Sequence, residues 1–291
     1  MKIAITGVDG QVGHELASIL APHHEVIALN RAKIDLSDLA AVRASLSGIK
    51  PDLLLNCAAY TAVDAAEKDA KSAFRINAEA PGVMAEACKN IGSRLVHFST
   101  DYVFDGTSRR PYREDDRTDP INVYGLSKLA GEQAIEDAGG EYLILRTSWV
   151  YAGRGHNFFR TMLRLGRERE TIRVVDDQIG SPTSARSIAE AIARLIEPAN
   201  FPKGTYHLTS TGETSWHGFA TEIFRQAREH PQFAEQTKVR EVVPISTAEF
   251  PTPAKRPAYS VLDNNRFRQT FGFSIPDWRE GLEKTFAEVI Q

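Results

Sequence analysis

A chain of 291 residues, 42 % hydrophobic and 25 % charged, is long enough for one large globular domain or two modest ones. Its 35 Lys and Arg against 38 Asp and Glu leave a formal charge of −3, without the basic excess that attracts nucleic acid or an anionic membrane. Two cysteines, Cys57 and Cys88, lack CxxC spacing, which argues against a disulfide scaffold or a structural zinc site. With neither a signal-peptide core nor an apolar run of roughly 18 residues, a cytoplasmic protein is expected.

Short apolar runs at 3–6, 25–29, 52–56, 94–99 and 142–146 read as buried parallel strands. Helical spacing fills the intervals at 12–20, 39–46, 65–90 and 127–138, with Pro81 either in the first turn of a second helix or kinking a single long one. This alternation predicts an α/β fold with a Rossmann-type doubly wound parallel sheet. Beyond residue 150 it degrades: turn clusters fall at 200–204, 209–214 and 251–257, and the charge-dense 164–170 reads as a solvated helix face. Strands at 172–175 and 205–208 flank a helix at 185–196. Residues 1–150 are therefore expected to form one domain, to which the chain returns at about 171–212. Residues 151–170 and 213–291 are expected to build a smaller C-terminal α/β substrate lobe.

The first strand runs into Gly7-Val8-Asp9-Gly10-Gln11-Val12-Gly13 and then into a helix. Glycines at this spacing permit a tight turn, let backbone N–H groups approach a pyrophosphate and seat the helix on the strand, its positive end toward the phosphates. A dinucleotide is thus expected at Gly7, Gly10, Gln11, Val12 and Gly13. After the second strand the chain reads Leu29-Asn30-Arg31, with no carboxylate for a ribose 2′-hydroxyl and an arginine suited to a 2′-phosphate. Asn30 and Arg31 therefore favour NADPH, with NADH tolerated. Asp35 and Leu36 are placed for the adenine, and the small residues Cys57-Ala58-Ala59, with Tyr60, for the ribose and nicotinamide side. Residues 1–150 accordingly read as an NADP(H)-binding domain.

The fourth strand ends at Ser99-Thr100-Asp101-Tyr102, and Tyr124 and Lys128 follow at i and i+4 on one helix face. A phenol near pKa 10 is a sluggish acid at neutral pH, and a neighbouring ammonium is expected to lower it. Lys128 can also hold ribose hydroxyls, while Thr100 is placed to hydrogen-bond a substrate carbonyl. Tyr124, Lys128 and Thr100 are the expected catalytic set. Asn77 serves either a proton relay or helix packing, and His97, inside a strand, reads as a satisfied core residue. None of the eight histidines has metal-ligand spacing.

These residues resemble the dTDP-4-dehydrorhamnose reductase family over nearly the whole chain. The resemblance rests on Thr6-Gly7 with Gln11 to Leu16, Asn56 with Thr61-Ala62-Val63-Asp64, Ser99 to Gly106 and Asn122-Val123-Tyr124-Gly125 with Lys128. It continues through Arg146 to Tyr151, Gly180-Ser181-Pro182-Thr183 and Pro251 to Pro257. It implies reduction of the 4-keto group of dTDP-4-dehydro-β-L-rhamnose by NADPH, with the proton from Tyr124. By position it adds Ala59, Tyr60 and Thr61 to the cofactor site, and makes Thr100, Asp101 and Trp149 contacts of the nucleotide-sugar substrate. An indole face also suits a sugar's C–H surface. Arg256 either pairs with the sugar's diphosphate or braces a loop.

Some family members dimerise through Mg²⁺ held by carboxylates. Here Glu15 matches one, but Arg186 and Ser187 stand where oxygen ligands are wanted, so no metal site and a monomer or weak homodimer are expected. Two other readings share the fold. A nucleotide-sugar 4-epimerase or dehydratase would hold NAD tightly, though Thr100-Asp101 lacks the usual Asp-Glu pair of a dehydratase. A non-catalytic regulatory subunit would not need the intact Thr, Tyr and Lys set.

Overall fold

The computed structural model describes residues 1–196 and 201–289. Asn200, in one of the expected turn clusters, lies outside the described residues. Five parallel strands, β1 (Lys2–Thr6), β2 (Glu25–Leu29), β3 (Leu53–Asn56), β4 (Arg94–Thr100) and β5 (Glu141–Thr147), form most of one sheet. The strand Gly204–His207 completes it, in the order Gly204–His207, β5, β4, β3, β1, β2. All its pairings are parallel, which explains strands apolar on both faces rather than alternating.

The two faces have separate cores. Ile3, Ile5, Leu53, Leu55 and Val96 pack with Leu16 and Leu20 of α1 (Gln11–Leu20) and with Ile188 and Ile192 of a later helix, Ala185–Leu195. Ala4, Leu54, Leu95 and Ile144 pack on the opposite side, against α2 (Leu39–Ile49), the helix Ala80–Ile91 and the helix Val123–Ala138. Period-two placement along each strand divides the residues between the layers. Truncating one of them, as in Leu54→Ala, costs about 2–5 kcal/mol.

The expected 65–90 helix is divided into Val63–Ala66, Ala70–Phe74, a π-turn at Arg75–Glu79 and Ala80–Ile91. Pro81 lies just past the π-turn, and because Glu79 and Ala80 keep helical dihedrals the helix runs on through it from residue 70 to 91. Another expectation is corrected: Thr171–Val175 does not rejoin the large sheet but pairs with Glu241–Ile245, and only Gly204–His207 returns, against β5. The reason is packing, since Ile172 and Val174 face a third core with Phe159, Phe219, Trp278 and Phe286.

Strand order reverses between β1 and β3, so their carboxyl ends open a crevice there. No helix among the described residues is long and apolar enough to cross a membrane.

Candidate active site

A cavity of about 530 Å³ lies in this crevice. Gly7, Gly10, Gln11 and Val12 form one wall; Asn30, Arg31, Asp35 and Leu36 border one end; Ala59 and Thr61, then Tyr124 and Lys128, line the rest. Gly7 turns at φ +67°, and a Cβ on Gly13 would stand 2.3 Å from the Gly7 carbonyl oxygen, so this pair lets α1 start directly against β1. Gly10 caps α1 without a side chain, leaving the first-turn N–H groups facing the cavity. Gly13→Ala gains about 1 kcal/mol of helix propensity but sets a methyl against backbone that cannot yield. NADPH affinity is therefore expected to fall at least about tenfold, measured by fluorescence titration; unchanged affinity would show that the close approach is dispensable.

Two expected cofactor residues stand outside the cavity wall. Gly13 acts through packing, and Tyr60 has its backbone N–H and carbonyl held by the Asn77 amide at 2.8 and 3.0 Å. Asn77 also donates to Ser127 Oγ, so its side chain braces the loop that carries Ala59 and Thr61. Near the adenosine end, the Ser37 backbone N–H and hydroxyl hold the Asp35 carboxyl below its usual range, and Arg31 adds to this.

Sequence reasoning missed part of the wall. Ser99, Thr147 and Arg154 line the cavity, and Ser99 Oγ, Thr147 Oγ1 and Arg154 Nη1 are buried without hydrogen-bond partners. The Arg154 loop is tied back by Asn157, whose Nδ2 donates to Gln11 Oε1 at 2.8 Å. Orphaned polar atoms, an uncapped helix N-terminus and two arginines in one elongated crevice fit a phosphorylated dinucleotide. Of this, only the glycines flanking Arg154 leave a trace in the sequence.

The helix Val123–Ala138 presents Tyr124 and Lys128. Asn122 caps it by accepting from the Gly125 N–H, and the close approach of Gly125 to the Tyr102 carbonyl sets it on the turn after β4. One turn past Lys128, Glu132 accepts a bidentate bond from the buried Arg146 of β5, locking helix to sheet. Lys128 is buried, its Nζ donating to the Phe98 carbonyl at 2.6 Å and lying 3.1 Å from His97 Nε2. Burial draws its pKa down to about 8 against the favourable charge of Glu132.

Tyr124 departs from expectation. Burial pushes its phenol up to about 12, opposed by the Thr100 hydroxyl and reinforced by Asp101, with Lys128 turned toward β4 instead. A phenol that stays protonated at neutral pH is a proton donor in waiting, the form a reduction requires.

Thr100 and Asp101 are buried beside it, Thr100 Oγ1 donating to Asp101 Oδ1 at 3.0 Å. Burial raises Asp101 to about 6, against hydrogen bonds from Ser260 and Thr100. Trp149 adopts φ +47°, rare for a bulky residue, and stacks on Trp216 at 3.5 Å and 3° with Gly180 beneath its indole. Trp216, from the later helix Trp216–Glu229, was not singled out from the sequence. Arg256 pairs with Asp64 at 2.8 Å and donates to the Ala254 carbonyl, and so braces its loop. Arg186 lies 3.6 Å from Glu15, 3.1 Å from Glu190 and 3.8 Å from Glu288.

A glycine-loop cavity at a parallel-sheet switch point, lined by Tyr124 and Lys128 with Thr100 hydrogen-bonded to the tyrosine, defines an extended short-chain dehydrogenase/reductase. Residues 1–291 match the family model described as RmlD substrate binding domain. The chain is 50 % identical over 286 residues to a dTDP-4-dehydrorhamnose reductase of Burkholderia thailandensis, covering 96 % of both chains. It is 42 % identical over 296 residues to that of Escherichia coli, covering 99 % of this chain and 98 % of the other. A crystal structure of the Bacillus anthracis dTDP-4-dehydrorhamnose reductase in complex with NADP superposes with a TM-score of 0.92 at 41 % identity, covering 99 % of this chain and all of that one. The chain belongs to the dTDP-4-dehydrorhamnose reductase family.

Proposed function

We propose that the protein reduces the 4-keto group of dTDP-4-dehydro-β-L-rhamnose to dTDP-β-L-rhamnose. The observation that carries this reading is that protonated Tyr124 and buried Lys128 line the glycine-loop cavity, with the Thr100 hydroxyl hydrogen-bonded to Tyr124. NADPH, when bound, supplies the hydride. Thr100 orients the sugar carbonyl, Tyr124 donates the proton from its hydroxyl, and the Lys128 ammonium offsets the charge left on the phenolate. Asp101 and Trp149 contact the sugar. Residues 151–170 and 213–291 form most of the substrate lobe. The protein acts in the cytoplasm as a monomer or weak homodimer, and the guanidinium of Arg186 among Glu15, Glu190 and Glu288 supports a chain without the metal bridge.

The test is NADPH consumption with dTDP-4-dehydrorhamnose made in situ from dTDP-glucose by a dehydratase and an epimerase, each omitted in turn. Oxidation only in the complete mixture is expected. No oxidation, with NAD retained by the purified protein, would favour a 4-epimerase instead. Arg31→Ser should lower kcat/KM for NADPH about 10- to 100-fold and leave NADH nearly unchanged, as loss of a charge-assisted phosphate contact demands. An equal effect on both cofactors would remove Arg31 from the 2′-phosphate.

A further inference from the structure

A chain of buried polar groups runs behind the cavity from the catalytic helix to β1. Lys128 Nζ meets His97 Nε2 at 3.1 Å, and His97 Nδ1 meets the amide nitrogen Nδ2 of Asn56 at 2.9 Å. The other end of that amide accepts from Thr6 Oγ1 at 2.7 Å, and Thr6 Oγ1 accepts from the Ala58 N–H at 3.4 Å, beside the cofactor wall. Lys128, His97, Asn56 and Thr6 are each at most 2 % exposed, so water does not compete for these protons.

Counting protons constrains the chain. A neutral imidazole has one donor and one acceptor. An ammonium on Lys128 has protons only to give, so Nε2 must accept, Nδ1 must carry the hydrogen, and Asn56 must present its oxygen to it. In the structure Asn56 presents its NH₂, the arrangement in which Nδ1 accepts, Nε2–H donates and Lys128 is the neutral amine, so the ammonium form requires the Asn56 amide to turn over. A doubly protonated His97 fits neither arrangement, and burial, with Lys128 beside it, drives His97 far toward the neutral form. The tautomer of His97, the orientation of the Asn56 amide and the charge of Lys128 therefore change together.

We propose that His97 is a positioning residue for Lys128: when Nζ is protonated the Asn56 amide turns its oxygen to His97 Nδ1–H and Nε2 accepts from the ammonium, and this exchange sets the pH at which the catalytic cation is lost. This rests on the reductase reading above, in which Lys128 acts as the ammonium. The ionisable groups around the pair are Tyr124 and Glu132 on the same helix, Arg146 of β5 clasping Glu132, Asp101 beyond β4 and the Cys57 thiol after β3. Glu132 favours the ammonium, while burial holds the Cys57 thiol neutral. The ammonium is present below about pH 8 and lost above it, so single-turnover reduction should fall through that range. Tyr124, near 12, stays protonated throughout.

His97→Leu removes the acceptor, disfavours the charged form and should move the alkaline limb down by about one pH unit. His97→Gln, whose Oε1 can take the place of Nε2, should return the limb to the wild-type position. A purely structural loss would lower the amount of active protein equally at every pH and leave the limb in place. Independently of turnover, nitrogen NMR of ¹⁵N-histidine-labelled wild type should find the Nδ1–H tautomer of His97 below the limb and the Nε2–H tautomer above it. An unmoved limb in His97→Leu, or one tautomer across the whole range, would overturn the proposal. If the wild type fails to oxidise NADPH with the nucleotide sugar, the reductase reading fails, and the NMR titration alone still decides whether His97 follows Lys128. Should His97→Leu not fold, the glutamine variant and the wild-type titration carry the same decision.

Discussion

Tyr124→Phe is expected to lower kcat by about 100- to 10,000-fold, the range for removing a positioned general acid. The substitution deletes one oxygen and keeps the ring, which packs edge-on to Tyr102 at 5.7 Å between centroids. The Thr100 hydroxyl keeps its bond to Asp101, so the variant loses the proton donor and its contact with Thr100 while the turn after β4 stays held. NADPH affinity should change by less than about twofold, because the phenol's task lies with the sugar oxygen. Steady-state kinetics with a fluorescence titration separate the two quantities. Full turnover in the variant would reject Tyr124 as the acid, and an equal loss of cofactor affinity would make the defect one of binding.

Lys128→Met should lose both functions assigned to that side chain. Methionine fills a similar apolar volume, and Glu132 keeps its partner Arg146, so no bare charge is left in the core. Without the ammonium nothing offsets the developing phenolate, and kcat should fall about 100- to 1,000-fold. Loss of donors to the ribose should raise the NADPH Kd about tenfold. The pH profile adds a sign. The wild-type rate falls as pH rises through about 8, where Lys128 gives up its proton, and that limb should vanish from the variant. A limb that persists near pH 8 in Lys128→Met would assign it to another group.

The sequence by itself determined the parallel sheet and the entrance to the site. Strands buried on both faces leave continuous apolar runs, as in Leu53–Asn56, and the contacts of Gly7 and Gly13 are local to one turn, so both are legible in one dimension. Tyr124 and Lys128 share a face because four residues make about one helical turn. The tertiary structure decided what depends on neighbours distant in the chain. Thr171–Val175 is a sound strand by composition, but its partner is Glu241–Ile245, and partner choice follows the third core rather than the strand's own residues. The Trp149–Trp216 stack, the hold of Asn157 on Gln11 and the pairing of Arg256 with Asp64 span 67 to 192 positions, and no local spacing encodes them. Charge states followed the same division. The i, i+4 spacing suggested that Lys128 would acidify Tyr124, yet side-chain direction turned the ammonium to His97 and the Phe98 carbonyl, and burial raised the phenol instead. A pKa depends on the dielectric and on the donors within a few ångströms, and those exist only once the strands and helices have closed around the group.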